Sequence, residues 1–499
     1  LVLPEYSIAA LQEKFDNSEL TAVKLCEACL QRLEKIDRTG PNLGAVIEVN
    51  PDALVIAAEL DQERRQKGPR GPLHGVPIMV KDSIDTADKM MTTAGSLALE
   101  GNIAPDDAFL VKKLRAAGAI LLGKTNMSEW GYMRSTRACS GWSSRGGQVR
   151  NPYVLDRSPS GSSSGSAVAV AANLCTAAIG AEVDGSIVRP ASTNGIVGLK
   201  PTVGLISRSG IIPVASPQDT AGPMARTVSD VATVLTALTG YDPGDPVTAE
   251  SVGREARDYR TFLKANGLKG VRLGVARNYF GSHEGTDAVI ETAIARLEAL
   301  GAEIVDPITV SSIEIFNQAE LELFLYEFKA GLNRYLTEHS GAQVRSLEEL
   351  IHFNRAHADW VMPYFQQELL EMAQAKGDLS EDAYLKAKAE CRRLSRTDGI
   401  DKAMHEHRLD AIIAPTDGTP AWMIDPVVGD KILGGCPSIA AMAGYPHITV
   451  PAGYVHGLPV GLSFFAGAYQ EGNLLGYAFA YEQATQVRRP PGFKGTLEV

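Results

Sequence analysis

At 499 residues, with 44% hydrophobic and 21% charged side chains, the chain has the composition of a globular protein that can bury a large core. Its 48 basic and 59 acidic residues give a net charge of −11, which argues against a nucleic-acid or anionic-membrane partner. Six cysteines without dense spacing do not make a disulfide framework, and the longest apolar run is Ala-rich, broken by Asn173 and a poor membrane span.

In chain order, Ser18 is placed to cap a helix over 19–37, with an apolar stripe at Leu20, Val23, Cys26, Leu30 and Leu33. Cys26 and Cys29 form a CxxC inside it; no second Cys or His pair lies nearby in sequence, so they read as core. A second helix is expected over 51–66. Residues 76–80 then form a short buried strand with Lys81 at its end. The segment 118–125 fits the literal phosphate-loop pattern GxxxxGK[ST], yet 119–122 are themselves an apolar strand, which leaves no loop to cradle a phosphate. A nucleotide-binding module is the reading from another class, and it rests on this motif alone. Residues 126–150 are aromatic- and glycine-punctuated loop text, either a cleft wall or a generic loop.

Residues 158–202 organise the rest. A serine cluster, 162–164, sits between Gly161 and Gly165 and runs into a helix over 167–172. An apolar strand over 177–181 follows, and then the turn Val183-Asp184-Gly185-Ser186. A serine on such a turn presents its hydroxyl beside backbone N–H groups, the arrangement acyl transfer needs. Gly/Ser text alone is often a flexible loop. Linker text does not, however, continue through an apolar helix and strand into a second Gly-Ser turn.

Further on, a helix is expected over 226–238, and strands over 271–276 and 302–310 flank a helix over 286–300 in α/β style. Residues 312–409 change character: they are charged, poor in glycine and helical in period over 321–336, 347–374 and 381–407. They read as a helical layer on one side of the sheet. His405 and His407 fall on different helix faces at i, i+2, and no HExxH is present, so no metal site is expected. Strands over 409–415, 444–453 and 458–467 and a helix over 473–486 close the chain.

GVPIMVKD around Lys81, GSSSGSA from Gly161, the DGSI turn and GLKPTVGLISRSG from Gly198 together resemble the amidase signature family. The likeness continues through GAILLGKTN and the C-terminal strands, and so covers nearly all of the chain. It implies a single large α/β domain over 1–499 with a mixed β-sheet core sandwiched by helices, 158–202 as its signature core and 312–409 bordering the substrate cleft. It also implies amide hydrolysis without a cofactor or metal. Ser186 would be the nucleophile, Ser162, preceded by a cis peptide bond, the proton relay, and Lys81 the base. Ser163 would support them, and the backbone N–H groups of Val183, Asp184, Gly185 and Ser186 would form the oxyanion hole. A lysine of ordinary pKa, ~10.4, is almost wholly protonated at neutral pH. Lys81 must therefore be buried beside hydroxyls, without a carboxylate partner, and Asp82 in an extended segment points the other way.

The chain departs from the family pattern in three places. Asp184 stands where many members have a glycine, Val188 where an arginine is common, with Arg189 one place on, and Glu182 where an aspartate is common. With GIIPVASPQDTAGPM from Gly210, this text looks closer to the peptide amidase branch, which removes the C-terminal amide of peptides. The expected substrate is a small-molecule or short-peptide amide with an apolar acyl part, held between 126–150 and the helical layer. These segments carry Trp130, Tyr132, Trp142, Phe324, Tyr326, Phe328 and Trp360, for which core packing is the other reading. The alternative enzyme is the amidase component of a tRNA-dependent amidotransferase, with partner chains. There Arg134, Arg137 or Arg145 would meet the α-carboxylate of glutamine. A monomer or homodimer is expected. The numbering opens on Leu1, not Met, and the cytoplasm is the expected compartment, with export after removal of a leader as the alternative.

Overall fold

The computed structural model describes residues 3–310, 316–339 and 341–497. Its strands are β1 (Val46–Val49), β2 (Pro77–Lys81), β3 (Ile120–Thr125), the short β4 (Trp142–Ser143) and β5 (Gly147–Gln148), β6 (Ala177–Glu182), β7 (Val197–Lys200) and β8 (Thr220–Ala225). Then come β9 (Arg272–Ala276), β10 (Glu303–Ile308), β11 (Ala411–Pro415), β12 (His447–Val455) and β13 (Leu458–Phe465). Eleven of them form one sheet in the order β1-β3-β2-β6-β8-β7-β12-β13-β11-β9-β10, and β4 pairs with β5 separately. The sheet is mixed: β2 runs parallel to β3 and β6, and β9 parallel to β10 and β11, while the other pairings are antiparallel.

Helices cover both faces. Along β11, Ala411 and Ile413 join one hydrophobic cluster and Ile412 and Ala414 another, as the two-residue period of a strand requires when both faces are covered. The helix Ser164–Ala171 is buried all round, and only small side chains let it lie so close: a Cβ on Gly165 would come 2.5 Å from the Asn126 carbonyl oxygen. Over β2, β3 and β6 this helix fixes the serine cluster at its own N-terminus.

Some elements differ from the sequence expectation. The cap of the second helix is Thr21, whose side chain accepts from the Lys24 N–H; Ser18 instead takes a left-handed turn, φ 59°, that ends the preceding helix Ile8–Asp16. The helix Ala22–Arg32 stops short of 37 in a loosened turn over 33–38. Cys26 and Cys29 are free and buried, in keeping with core packing. The helical layer comprises Phe316–Glu338, Leu347–Ala356, Ala358–Val361, Glu368–Gln374, Asp382–Arg392 and Asp401–His407. Pro363, without an N–H, interrupts the helix expected over 347–374, and a loosened turn over 393–400 containing Gly399 divides 381–407. Residues 312–315 and 340 of the expected layer lie outside the described residues. All of Gly123, Lys124 and Thr125 is strand, and the buried Lys124 Nζ donates to the Ile84 carbonyl at 2.6 Å and to Thr92 Oγ1 at 2.9 Å. That lysine is committed to the core, which removes the basis of the nucleotide-binding reading.

Candidate active site

β2 delivers Lys81 to the end of a fully buried strand between β3 and β6. Its Nζ donates to Ser162 Oγ at 2.7 Å and to the Ala181 carbonyl at 2.8 Å. Ser163 Oγ donates to the same carbonyl at 3.0 Å and accepts from the Ala181 N–H at 3.2 Å. The Ser163 N–H in turn donates to the Ser186 carbonyl at 3.1 Å. Lys81 and Ser162 are thus joined directly, Ser163 meets Lys81 on the Ala181 carbonyl, and Ser186 is tied in through its backbone.

Local sequence explains this assembly. The Gly161–Ser162 peptide bond is cis. A Cβ on Gly161 would overlap Ser128 Oγ, which accepts from the Gly141 N–H at 2.9 Å, so only glycine fits. Ser128 also donates its N–H to the Ser162 carbonyl at 3.1 Å. Beside the pair, Trp130, Gly131 and Tyr132 all have positive φ, 55°, 64° and 83°. Such backbone persists in a non-glycine residue only where the surroundings enforce it.

Burial is the main electrostatic influence on Lys81. It lowers the ammonium pKa to about 7, opposed by Glu182 and Asp219, so a large fraction of the amine is neutral near neutral pH. Asp82 does not pair with it; its Oδ2 accepts from the Gly95 N–H at 3.0 Å, on other partners altogether.

The turn after β6 is braced from behind. Glu182 Oε2 accepts from the N–H groups of Ile187 at 2.7 Å and Val188 at 3.1 Å, and Gly185 supplies φ 72°. Arg189, displaced by one place in sequence, covers Gly185 and pairs with Asp417 at 2.7 Å. Among the described residues, the N–H groups of Asp184, Gly185 and Ser186 have no acceptor. Backbone donors away from water are nearly always paired, so idle ones gathered on a single turn can serve an anionic oxygen.

A cavity of about 580 Å³ opens on this group, with Lys81, Ser162, Glu182 and Val183 in its wall. Ser186, 5% exposed, is not among the lining side chains. Trp130 and Phe328 line it in edge-to-face contact, 6.3 Å between centroids. The other expected rings lie outside its wall: Trp142 and Tyr326 are buried elsewhere, and Trp360 is 77% exposed. The three arginines considered for a carboxylate are also outside. Arg134 is buried against Glu129 at 2.9 Å and Arg145 binds Glu48 at 2.6 Å. Among the described residues no group of three or more His, Cys, Asp or Glu is arranged to hold a metal.

Sequence reading did not single out Gln218, Asp219 or Glu320. Asp219 lines the cavity, and burial raises its carboxyl to about 6. Gln218 donates to the Val183 carbonyl at 3.2 Å and to Glu320 Oε1 at 2.7 Å. Glu320 reaches the turn from a helix distant in sequence, so no local pattern could have marked it.

The family model for amidases matches residues 24–475, and the chain belongs to the amidase family. The crystal structure of native peptide amidase from Stenotrophomonas maltophilia superposes with a TM-score of 0.94 at 52% identity, over 98% of this chain and 99% of that one. A protein of Arabidopsis thaliana named "Probable amidase" is 41% identical over 500 residues, 98% of this chain and 92% of its own. A glutamyl-tRNA(Gln) amidotransferase component of Pseudomonas syringae pv. tomato is 36% identical, with 99% of each chain covered. The protein is therefore an amide-hydrolysing enzyme of this family with a mixed-sheet α/β fold. No helix among the described residues is long and apolar enough to cross a membrane.

Proposed function

We propose that the enzyme hydrolyses the C-terminal amides of peptides, or similar amides with an apolar acyl part, through Ser186, Ser162 and Lys81. The observation that carries this reading is the buried Lys81–Ser162 contact beside a turn with idle N–H donors. Neutral Lys81 takes a proton from Ser162, which takes one from Ser186 as its Oγ attacks the amide carbon. The C–O bond to the serine forms, and the carbonyl electron pair moves onto oxygen. The N–H groups of the turn, taken here as the oxyanion hole of Val183, Asp184, Gly185 and Ser186, receive that charge; each such donor is worth about 3 kcal/mol in the transition state. On collapse the C–N bond breaks, and Ser162 returns a proton to the leaving nitrogen while Lys81 reprotonates Ser162. Water then attacks the acyl-enzyme by the same relay, releasing the acid and freeing Ser186. Ser163 holds the Ala181 carbonyl in place beneath the ammonium.

The cavity wall supports this substrate class. Trp130, Phe328, Ile212 and Val214 offer an apolar surface next to Lys81. The arginines in the wall are Arg208, bound to Asp245 at 2.5 Å, and Arg334 on the helical layer. The likeness to a peptide amidase favours the same substrate class. The second reading, a glutaminase component with partner chains, draws on the 36% identity to the amidotransferase chain.

Two measurements test the proposal. Ser186→Ala should abolish turnover with an unchanged circular dichroism spectrum; appreciable residual activity would reject the nucleophile. The isolated wild-type chain should turn over a dipeptide amide with higher kcat/KM than free glutamine. A glutamine preference of about tenfold, roughly 1.4 kcal/mol in the transition state, would overturn the substrate assignment.

A further inference from the structure

Behind the 183–186 turn lies a set of ionisable groups that the triad does not use. Asp184, which stands where a glycine is common, accepts from Ser438 Oγ at 2.9 Å through Oδ2. Its Oδ1 is buried and lacks a donor. The buried carboxyl of Glu320, on the helix Phe316–Glu338, lies beside Asp184, placed to share a hydrogen bond with it once one of the two is protonated. Glu320 Oε1 accepts from Gln218 Nε2 at 2.7 Å, and the same nitrogen donates to the Val183 carbonyl at 3.2 Å. Two carboxyl groups therefore meet beneath the nucleophile turn.

No free cation among the described residues neutralises them. Arg189, whose charge Asp184 feels, is engaged by Asp417 at 2.7 Å. The other titratable groups that face the pair are Tyr279, Glu182 and Cys391, and none of them supplies positive charge. Two carboxylates in contact cannot both ionise, so the pair holds one proton, as in carboxyl dyads generally. Placed on Glu320, that proton gives Asp184 Oδ1 the donor it lacks, and leaves Glu320 Oε1 to accept from Gln218.

We propose that Glu320 is a protonated acid that donates to Asp184 and, with Gln218, holds the N–H groups of the 183–186 turn in register with the attacking serine. It is a positioning residue: it touches the turn, not the substrate. Burial raises both carboxyls, Glu320 well above the usual carboxylate range. The kinetic consequence rests on the reading of Ser186 as nucleophile; the shared proton does not.

The test combines infrared spectroscopy with kinetics. Near pH ~8, where ordinary carboxyls are ionised, the wild-type minus Glu320→Gln difference spectrum should show the C=O stretch of one buried carboxylic acid. The glutamine amide can still donate to Asp184 and accept from Gln218, so Glu320→Gln should keep kcat within about threefold of wild type. Glu320→Ala leaves Asp184 charged with its Oδ1 unpartnered, and should lower kcat about ten- to hundredfold with little change in KM. The wild type should also lose kcat at alkaline pH as the pair ionises, a limb that Glu320→Gln removes. A wild-type minus Glu320→Gln difference spectrum without a carboxylic-acid band would overturn the proposal, as would a folded Glu320→Ala of wild-type activity. If Glu320→Ala does not fold, the difference band and the alkaline limb decide it. An active Ser186→Ala would instead remove the oxyanion assignment and leave the infrared result standing.

Discussion

At the scale of the residue, the proposed chemistry depends on how one lysine is housed. Lys81 is held at the strand end by Ser162 and the Ala181 carbonyl, and desolvation brings its pKa down to about 7. Under the proposed mechanism only the neutral amine accepts a proton, so the sign is fixed: kcat/KM should rise with pH through about 7 as Lys81 deprotonates, to a plateau that ends only where the Asp184–Glu320 pair ionises. A pH-rate profile checks this. An acid limb absent down to pH ~5, well below the lysine's transition, would exclude Lys81 as the base. Lys81→Arg should be as inactive as Lys81→Ala, because a guanidinium stays charged at every accessible pH.

At the scale of the element, strand contacts that admit no side chain decide where Lys81 ends up. β3 lies between β1 and β2, and Gly123 leaves no room for a side chain there: a Cβ would come 2.5 Å from the Glu48 carbonyl oxygen. Gly123→Ala should therefore force β1 away from β3 and cost about 1–3 kcal/mol, as overpacking generally does. Urea denaturation would show it as a lower midpoint at unchanged slope; an unchanged midpoint would mean that β1 yields freely. This glycine also explains the false phosphate-loop pattern. Its spacing from Gly118 follows from a turn and a strand contact, and Lys124, which completes the pattern, is consumed by Ile84 and Thr92.

At the scale of the whole molecule, the helical layer closes the cavity that the sheet opens. Phe328 reaches Trp130 from the helix Phe316–Glu338, and both rings line the wall near Lys81. Phe328→Ala should lower kcat/KM for a peptide amide ending in leucine or phenylalanine by at least about tenfold, or 1.4 kcal/mol. A glycinamide, with no side chain to place against the ring, should fall by less than about threefold. Equal losses on both substrates would assign Phe328 to packing rather than to recognition. The layer also brings Glu320 under the turn, so the same helix meets the site at two points.

Much of this was legible in the sequence because it is written locally. Alternation and apolar runs set the strands that became β2, β3 and β6, and the buried helix after Gly161 follows from its Gly/Ser/Ala text. Lys81, Ser162, Ser163 and the 183–186 turn stand in short motifs whose spacing carries the family resemblance. Element ends were harder: Thr21 rather than Ser18 caps its helix because the chain must first turn out of the preceding one. Which of seven candidate rings would face the cavity was not legible, since aromatic residues serve core and cleft alike and only packing separates Phe328 from Tyr326. The sequence by itself determined the fold class and singled out the residues proposed to do chemistry, because strand period, glycine turns and reactive side chains act over short spans. Tertiary structure alone decided the basicity of Lys81, the company of Asp184 and the shape of the cavity. Those depend on desolvation and on contacts between segments far apart in the chain, which no local pattern records.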